Sequence, residues 1–260
     1  MPEIPVRSGL VDREALLVRG RDAVTYLHSQ LSNDIAALGV GASVPSLVLE
    51  PTGKIVALVR VTRLDEERVL IDFDPGLVET LTARLLRFRI RVDVSIEPMV
   101  IGCVAVRSNE PMAAPLADTS SEVVVPAWWC DGRAWDVLAL GGEIDPTRFG
   151  TPVARAVIER ERIEATWPRG GHEIVAGETL PAATGVVRIA VNFAKGCYPG
   201  QELVERMDSR GATAPRQLRC IEVPEGSLVG DTVRIDDDEA TITSVADDMA
   251  LAYVKRPSVA

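Results

Sequence analysis

The sequence predicts an α+β fold built of more than one part, and three observations carry that expectation. Short β-rich runs alternate with amphipathic helical stripes and are joined by tight turns, which favours α+β layers over a doubly wound sheet. After Pro215 the pattern changes to β segments alone, a unit of about 45 residues that is too small to fold by its own core and must pack on the rest. The 260 residues are 47% hydrophobic and 25% charged, globular values that exclude a disordered chain. At roughly 150 residues per domain, this length suggests one large or two medium domains with a small third.

The elements follow in order. Leu16–Val18 reads as a short buried strand ending at Gly20. From Arg21 to Leu31, residues Ala23, Val24, Leu27 and Leu31 share one helical face. Ser46–Leu49 and Ile55–Thr62 are β-rich runs divided by the turn Glu50-Pro51-Thr52-Gly53-Lys54. The stretch from Leu64 to Arg68 is a second turn and Val69–Phe73 a third strand. Asp74-Pro75 then offers a cap and a first-position proline for a helix with Leu77, Val78, Leu81, Leu85 and Leu86 on its apolar stripe. Val92–Ile96 and Val100–Val106 close this part as strands. Ser108–Val123 reads as a loop, Trp128, Trp129 and Trp135 flank a strand ending near Leu140, and Thr151-Pro152 caps a helix to about Arg162. In the tail, Ile221–Val223, Thr232–Ile235, Ala240–Val245 and Leu251–Val254 read as strands. The acidic run Asp236-Asp237-Asp238-Glu239 is a solvated hairpin turn.

Charge and cysteine usage narrow the function classes. Lys+Arg total 28 against 38 Asp+Glu, a net of −10, so bulk charge opposes direct nucleic-acid binding, although a local basic cleft is compatible with it. No apolar run approaches the ~20 residues that span a bilayer, and Met1-Pro2-Glu3-Ile4-Pro5 is not a secretory signal. The expectation is a cytoplasmic protein with no membrane partner. Cys103, Cys130, Cys197 and Cys220 are far apart in sequence, and His28 and His172 are the two histidines. Without paired thiolates, zinc, an intrinsic iron–sulfur cluster and disulfides are not expected.

One stretch carries chemistry: Lys195-Gly196-Cys197-Tyr198-Pro199-Gly200-Gln201-Glu202, followed by Arg206 and Arg210-Gly211. Two glycines and a proline make a tight loop, and residues from Gln201 to Met207 read as a short helix. A loop entering a helix offers free N–H groups, and Lys195, Arg206 and Arg210 add positive charge, which suits an anionic or polar planar ligand. The same field favours a thiolate at Cys197. On residue chemistry alone, the competing reading is a turn with a buried cysteine.

This stretch resembles the signature of the YgfZ family, folate-binding proteins related to the T protein (aminomethyltransferase) of the glycine cleavage system. That pattern is K-G-C-Y-x-G-Q-E with a later Arg and R-G, and the residues from Lys195 to Glu202, with Arg206, Arg210 and Gly211, fill every place. The stretch from Val18 to Leu27 resembles the family's opening V-x-G-x-D-A-x-x-F/Y-L, Gln30–Asp34 its Q-x-T-N-D, Glu50–Lys54 its x-P-x-G-K/R, and Thr179–Ala182 its L/I-P motif. Ile242-Thr243-Ser244 resembles a motif of its C-terminal barrel. Between Ser108 and Asp136 nothing matches, and the last domain is short for the family.

The resemblance implies a ferredoxin-like aminomethyltransferase fold in two linked parts, with a small C-terminal β-barrel, around a central folate channel. It implies residues 1–45 plus 150–214 as a discontinuous folate-binding domain, 46–149 as a second ferredoxin-like α+β domain, and 215–260 as the barrel. It implies tetrahydrofolate or a one-carbon derivative as cofactor, held by Asn33, Asp34, Lys195, Tyr198, Gly200, Gln201, Glu202 and Arg206, with Cys197 as functional thiol. The implied role is an accessory one in assembly or repair of iron–sulfur enzymes, affecting tRNA modification through such an enzyme, with assembly factors or client enzymes as partners. The alternatives are a folate-dependent one-carbon transferase or demethylase, and a scaffold that no longer binds folate.

Two departures argue against aminomethyl transfer. Aligned from Gly53, Ala57 and Leu58 stand where the T protein carries acidic residues, one of them catalytic, and methyl groups can neither accept that hydrogen bond nor stabilise positive charge. Ala183 stands where the T protein has a glutamate for the pterin. Asn33-Asp34 alone would read as a helix end or turn. His28 reads as a surface or interface residue, His172 as a loop residue without a partner, and Trp128-Trp129 as core or interface residues.

Overall fold

Ile55–Thr62 and Val69–Phe73 hardly alternate between apolar and polar residues, so each strand must be covered on both faces. The computed structural model describes residues 5–127, 132–209, 214–236 and 238–255, and in it both runs are buried along nearly their whole length. The chain divides into two compact units of discontinuous sequence. One comprises Met1–His28, Asp34–Pro45 and Val59–Ile158, and the other Ser29–Asn33, Ser46–Leu58 and Glu159–Ala260.

The elements up to the second unit's main segment are β1 (Val6–Leu10), β2 (Glu14–Arg19), α1 (Ala23–Gln30), β3 (Ser43–Leu49), β4 (Ile55–Arg63), β5 (Arg68–Phe73), α2 (Val78–Arg87), β6 (Ser95–Met99), β7 (Ile101–Ser108), β8 (Glu122–Pro126), β9 (Ala134–Leu140) and β10 (Thr151–Pro152). They form two sheets, ordered β10-β1-β7-β9-β8 and β3-β4-β5-β2-β6. Strands β3 and β4 run on into the second unit. In the first unit the sheets share a core in which Ala15 and Leu70 meet Cys103, Val125 and Leu138.

A buried ionic network joins these two sheets. Arg60 on β4 donates from Nε and Nη2 to the two oxygens of Asp72 on β5, at 2.8 Å each, and from Nη1 to Asp136 on β9 at 2.6 Å. Arg107 on β7 reaches the other Asp136 oxygen at 2.9 Å. Arg13 adds contacts to Asp72 at 2.8 Å and to Asp74 at 2.7 Å. Arg60 is 2% exposed and Asp72 0%. Charges this deep are tolerated only when paired and hydrogen-bonded. Burial opposes ionisation of Asp136, but Arg107 and Arg60 outweigh it and hold its carboxyl down to about 2. Burial, then Asp136, pushes the neighbouring Cys103 thiol up to about 12.

Two sequence expectations change. Helix α2 is not capped by Asp74. Glu14 of β2 does this work, its Oε2 accepting from the N–H groups of Gly76, Leu77 and Val78 at 3.0, 3.2 and 3.3 Å. A carboxylate supplied by another strand serves the free N–H groups and the positive helix end equally well. Thr151-Pro152 does not cap a helix either, because it pairs in parallel with Arg7 and Ser8. Trp128, Trp129, Cys130, Arg210, Gly211 and Asp237 lie outside the described residues.

The chain continues with α3 (Arg155–Glu164), whose residues from Glu159 on belong to the second unit, then α4 (Pro181–Thr184), α5 (Val187–Ala190), α6 (Gln201–Ser209) and strands β11 (Arg216–Glu222), β12 (Thr232–Ile235), β13 (Asp238–Ala246) and β14 (Met249–Lys255). The tail strands form an open four-stranded antiparallel sheet ordered β11-β14-β13-β12, not a closed barrel. The tail packs within the unit, Leu218 and Leu251 meeting Ile163 of α3. Glu173 secures this junction, accepting from Arg162 of α3 at 3.1 Å, from Ser244 of β13 at 2.6 Å and from Arg169 N at 2.9 Å.

Asp136→Asn leaves Arg60 and Arg107 short of counter-charge, so the urea midpoint should fall by the equivalent of about 3–5 kcal/mol. A loss below about 1 kcal/mol, the value of an exposed pair, would contradict the buried network. Because Asp136 is more acidic folded than unfolded, its contribution of about 2 kcal/mol is complete above about pH 5 and is lost as pH falls from about 4 toward 2. Denaturation across that range measures it.

Candidate functional site

The site is built on two glycine turns that touch. Gly53 closes the turn after β3, where Glu50 N donates to Lys54 O at 2.9 Å and Gly53 N to Glu50 O at 2.8 Å. Gly200 follows Pro199 and has φ +81°, and a Cβ there would lie 2.5 Å from Glu50 O and 2.9 Å from Gly53 Cα. Gly53 has φ +83°, and a Cβ on it would strike Leu203 of α6. Only residues without a side chain allow backbone to approach this closely at positive φ. The clasp fixes where α6 begins. From there Val204 enters a core of Leu47, Leu49, Ile55, Leu58, Ile174, Val186 and Tyr198, while Glu202, Glu205 and Arg206 stay exposed.

Lys195 turns inward. It is 8% exposed, its ammonium donates to Leu31 O at 2.5 Å and lies 5.0 Å from the centre of the Tyr198 ring. Tyr198 is 7% exposed, and its hydroxyl has no hydrogen-bond partner among the described residues. Burial first, and Glu205 second, push that phenol up to about 12, so it is a neutral donor at physiological pH. Gln201 accepts from Tyr198 N at 3.3 Å and bonds Glu205, which braces the first turn of α6. Cys197, between Lys195 and Tyr198, is exposed.

The paired candidates Asn33 and Asp34 part company. Asn33 is buried in the second unit, donating from Nδ2 to Ile189 O and from its backbone N to Ser46 Oγ, both at 2.9 Å. Its neighbour Ser32 donates to Ala190 O at 2.6 Å. Asp34 belongs to the first unit, where it lies 3.2 Å from His28 Nδ1 and accepts from Ala37 N at 3.1 Å. His28 accepts from Ala36 N at 3.3 Å, so it holds this turn. His172 is not without a partner: Arg169 Nη2 lies 2.8 Å from its Nε2. Within the second unit, then, the fold brings Lys195, Tyr198, Gly200 and Gln201 together, buries Asn33 with its side chain on the Ile189 carbonyl, and leaves Glu202 and Arg206 to solvent. Sequence reasoning missed Ser32 and Ser46 and the contact between Gly53 and Gly200. The signal for the latter was two Pro–Gly turns with no local partner. Among the described residues no cluster of three or more His, Cys, Asp or Glu could hold a metal, and no helix is long and apolar enough to cross a membrane.

No family model matches the chain. A Neurospora crassa protein called iron-sulfur cluster assembly factor IBA57 homolog, mitochondrial, is 26% identical over 243 residues, 84% of this chain and 54% of that protein. The tRNA-modifying protein YgfZ of Serratia proteamaculans is 24% identical over 245 residues, 84% of this chain and 71% of that one. The chain is thus similar, over most of its length, to proteins named YgfZ and IBA57. The chain spans about half the length of the fungal relatives it matches. Glycine cleavage system aminomethyltransferase T from Bartonella henselae superposes with a TM-score of 0.69 at 15% identity, covering 97% of this chain and 79% of that one. The chain therefore has the fold of that aminomethyltransferase, with apolar Ala57 and Leu58 buried on β4.

Gly200→Ala should lower stability by about 1–3 kcal/mol through backbone strain and collision with Glu50. Gly196→Ala, whose Cβ would meet nothing within 4 Å, should be nearly neutral in the same thermal melts. Equal losses would refute the clasp. Native alkylation read by mass spectrometry should label Cys197 and spare Cys103 until the protein unfolds, because Cys103 is buried and its thiol pushed up to about 12.

Proposed function

We propose that this protein binds a reduced folate and serves iron–sulfur cluster assembly or repair, with Cys197 as its functional thiol. The observation that carries the reading is an exposed Cys197 in the complete family signature, on a loop held by the Gly53–Gly200 clasp. The names of the fungal and Serratia relatives support the biological role. An effect on tRNA modification would pass through an iron–sulfur enzyme as client, since net charge −10 opposes direct RNA contact. The partners of this reading are assembly factors or client enzymes, and its compartment is the cytoplasm.

The residues present fit a folate in one specific respect. Tyr198 Oη is a buried donor without a partner among the described residues, and leaving such a group unmet costs about 1–3 kcal/mol. A pterin offers acceptors for it. Lys195 and Asn33 already hold backbone carbonyls, so their part is to shape the wall. Glu202 and Arg206 face solvent, where Arg206 suits the folate's glutamate carboxylates. The folate, when bound, would supply one-carbon chemistry at its reduced pterin. Nothing at Ala57 or Leu58 can accept a proton there, which argues against a transferase.

Calorimetric titration with tetrahydrofolate should show saturable binding with a Kd of micromolar order, about −8 kcal/mol. Tyr198→Phe should weaken it roughly fivefold, the value of one hydrogen bond. Cys197→Ala should fold and bind folate yet fail to restore iron–sulfur enzyme activity in a deletion strain. No saturation up to about 1 mM tetrahydrofolate would favour the folate-free scaffold. Full rescue by Cys197→Ala would remove the thiol from the function.

A further inference from the structure

The end of α2 carries a feature that the folate and thiol readings leave unused. From Leu81 to Val92 the sequence holds four arginines, Arg84, Arg87, Arg89 and Arg91, and no acid, inside a chain of net charge −10. Arg84 and Arg87 are explained in part by the helix dipole, which favours cations in a last turn. Arg89 and Arg91 lie beyond the helix, so the dipole does not account for them. Arg89 Nη1 donates to Val94 O at 2.8 Å and steadies the turn. Arg91 has φ +55°, which swings the chain round after Ile90. Arg87 and Arg91 are exposed and make no ion pair among the described residues.

Apolar groups are interleaved with this charge. Leu86 is 41% and Ile90 71% exposed. Phe88 lies between them, with the Arg84 and Arg87 guanidiniums 4.2 and 5.8 Å from its ring centre. Arginines stacked on an aromatic ring are preorganised, so less side-chain entropy is lost when they meet a partner. Arginine and aromatic side chains are enriched at protein-binding centres, whose buried middle is apolar, and here half-buried Phe88 lies between exposed Leu86 and Ile90 among arginines.

We propose that this helix end is a docking surface for a protein partner that presents carboxylates interleaved with aliphatic side chains. Charge complementarity selects the acidic partner: Arg87 and Arg91 bring positive charge that is not answered by an ion pair among the described residues. Leu86 and Ile90 select a protein over a nucleic acid, since against a phosphate backbone they would lose water contact and gain no apolar neighbour. A membrane surface fits poorly, because a ten-residue helix with exposed Leu86 in its last turn and Ile90 just beyond it is far short of an interfacial anchor.

The test uses the full chain and a fluorescein-labelled, helix-forming peptide with glutamate and leucine on one face, read by fluorescence anisotropy. Wild type should bind it saturably at low ionic strength, and rising salt should weaken binding. Arg87→Glu with Arg91→Glu should weaken it at least tenfold, about 1.4 kcal/mol, and Ile90→Ser severalfold. These side chains are exposed, and circular dichroism melts matching wild type would show the variants folded. The proposal is overturned by absence of saturable binding, by affinity within twofold of wild type in the charge-reversed variant, or by an unaffected Ile90→Ser. It is equally overturned if a uridine oligonucleotide or phosphatidylserine vesicles bind as tightly with the same dependence on Arg87 and Arg91.

Discussion

Arg60 is the residue around which the first unit is arranged. It sits in the middle of an apolar strand, 2% exposed, and its guanidinium uses three nitrogens on two carboxylates from different sheets. A guanidinium cannot shed its charge, so the fold must bring Asp72 and Asp136 to it or fail to bury β4. That requirement sets more than one contact. It puts β4 beside β5 and aligns β9 opposite them. It draws in Arg107, because Asp136 faces two cations, and Arg13, because Asp72 has oxygen lone pairs to spare. Apolar packing between two sheets is tolerant of sliding, whereas a fixed fork of donors is not. The network thus contributes register as well as stability, with Cys103 enclosed beside it as a neutral thiol.

In the second unit the comparable constraint is made of nothing but backbone. Gly53 and Gly200 are side by side because any Cβ would collide with the opposing turn or with Leu203. The consequence is chemical. With the loop anchored at Gly200 and Lys195 tied to Leu31 O, Cys197 is presented outward while Tyr198 is folded inward. The signature motif is therefore two things at once: a structural anchor in Gly200 and Lys195, and an outward-facing thiol in Cys197. A reading of every signature residue as a ligand contact would overlook this division.

The likeness to aminomethyltransferase T locates the fold, and the composition of β4 gives this chain's own version of it an apolar stretch. At Ala57 and Leu58 the strand is apolar and buried, with Leu58 built into the core beside Tyr198. A catalytic acid there would need both solvent and a partner that this core does not supply. A fold can be kept for its cavity or its surface after its reaction is gone. The exposed cysteine and the arginine-rich end of α2 lie on different units.

Much of the architecture could be read from local pattern. The runs at Ile55–Thr62, Val69–Phe73 and Thr232–Ile235 are strands within a residue or so of their sequence bounds, and Gln201 begins α6 as the loop chemistry required. These signals survive because turn residues and apolar period act over a few neighbours. The signature, the apolar pair on β4 and the low cysteine count were equally plain, since each depends on residue type alone. What the chain could not announce were partners distant in sequence. Arg60 finds Asp136 across 76 residues, Gly53 finds Gly200, Glu14 caps α2 from another strand, and Asn33 and Asp34 fall into different units. Nothing local marks such pairs, because a buried charge or a bare glycine specifies only that it needs a complement. Which complement arrives, and whether four tail strands close or stay open, is decided by the packing of the whole chain.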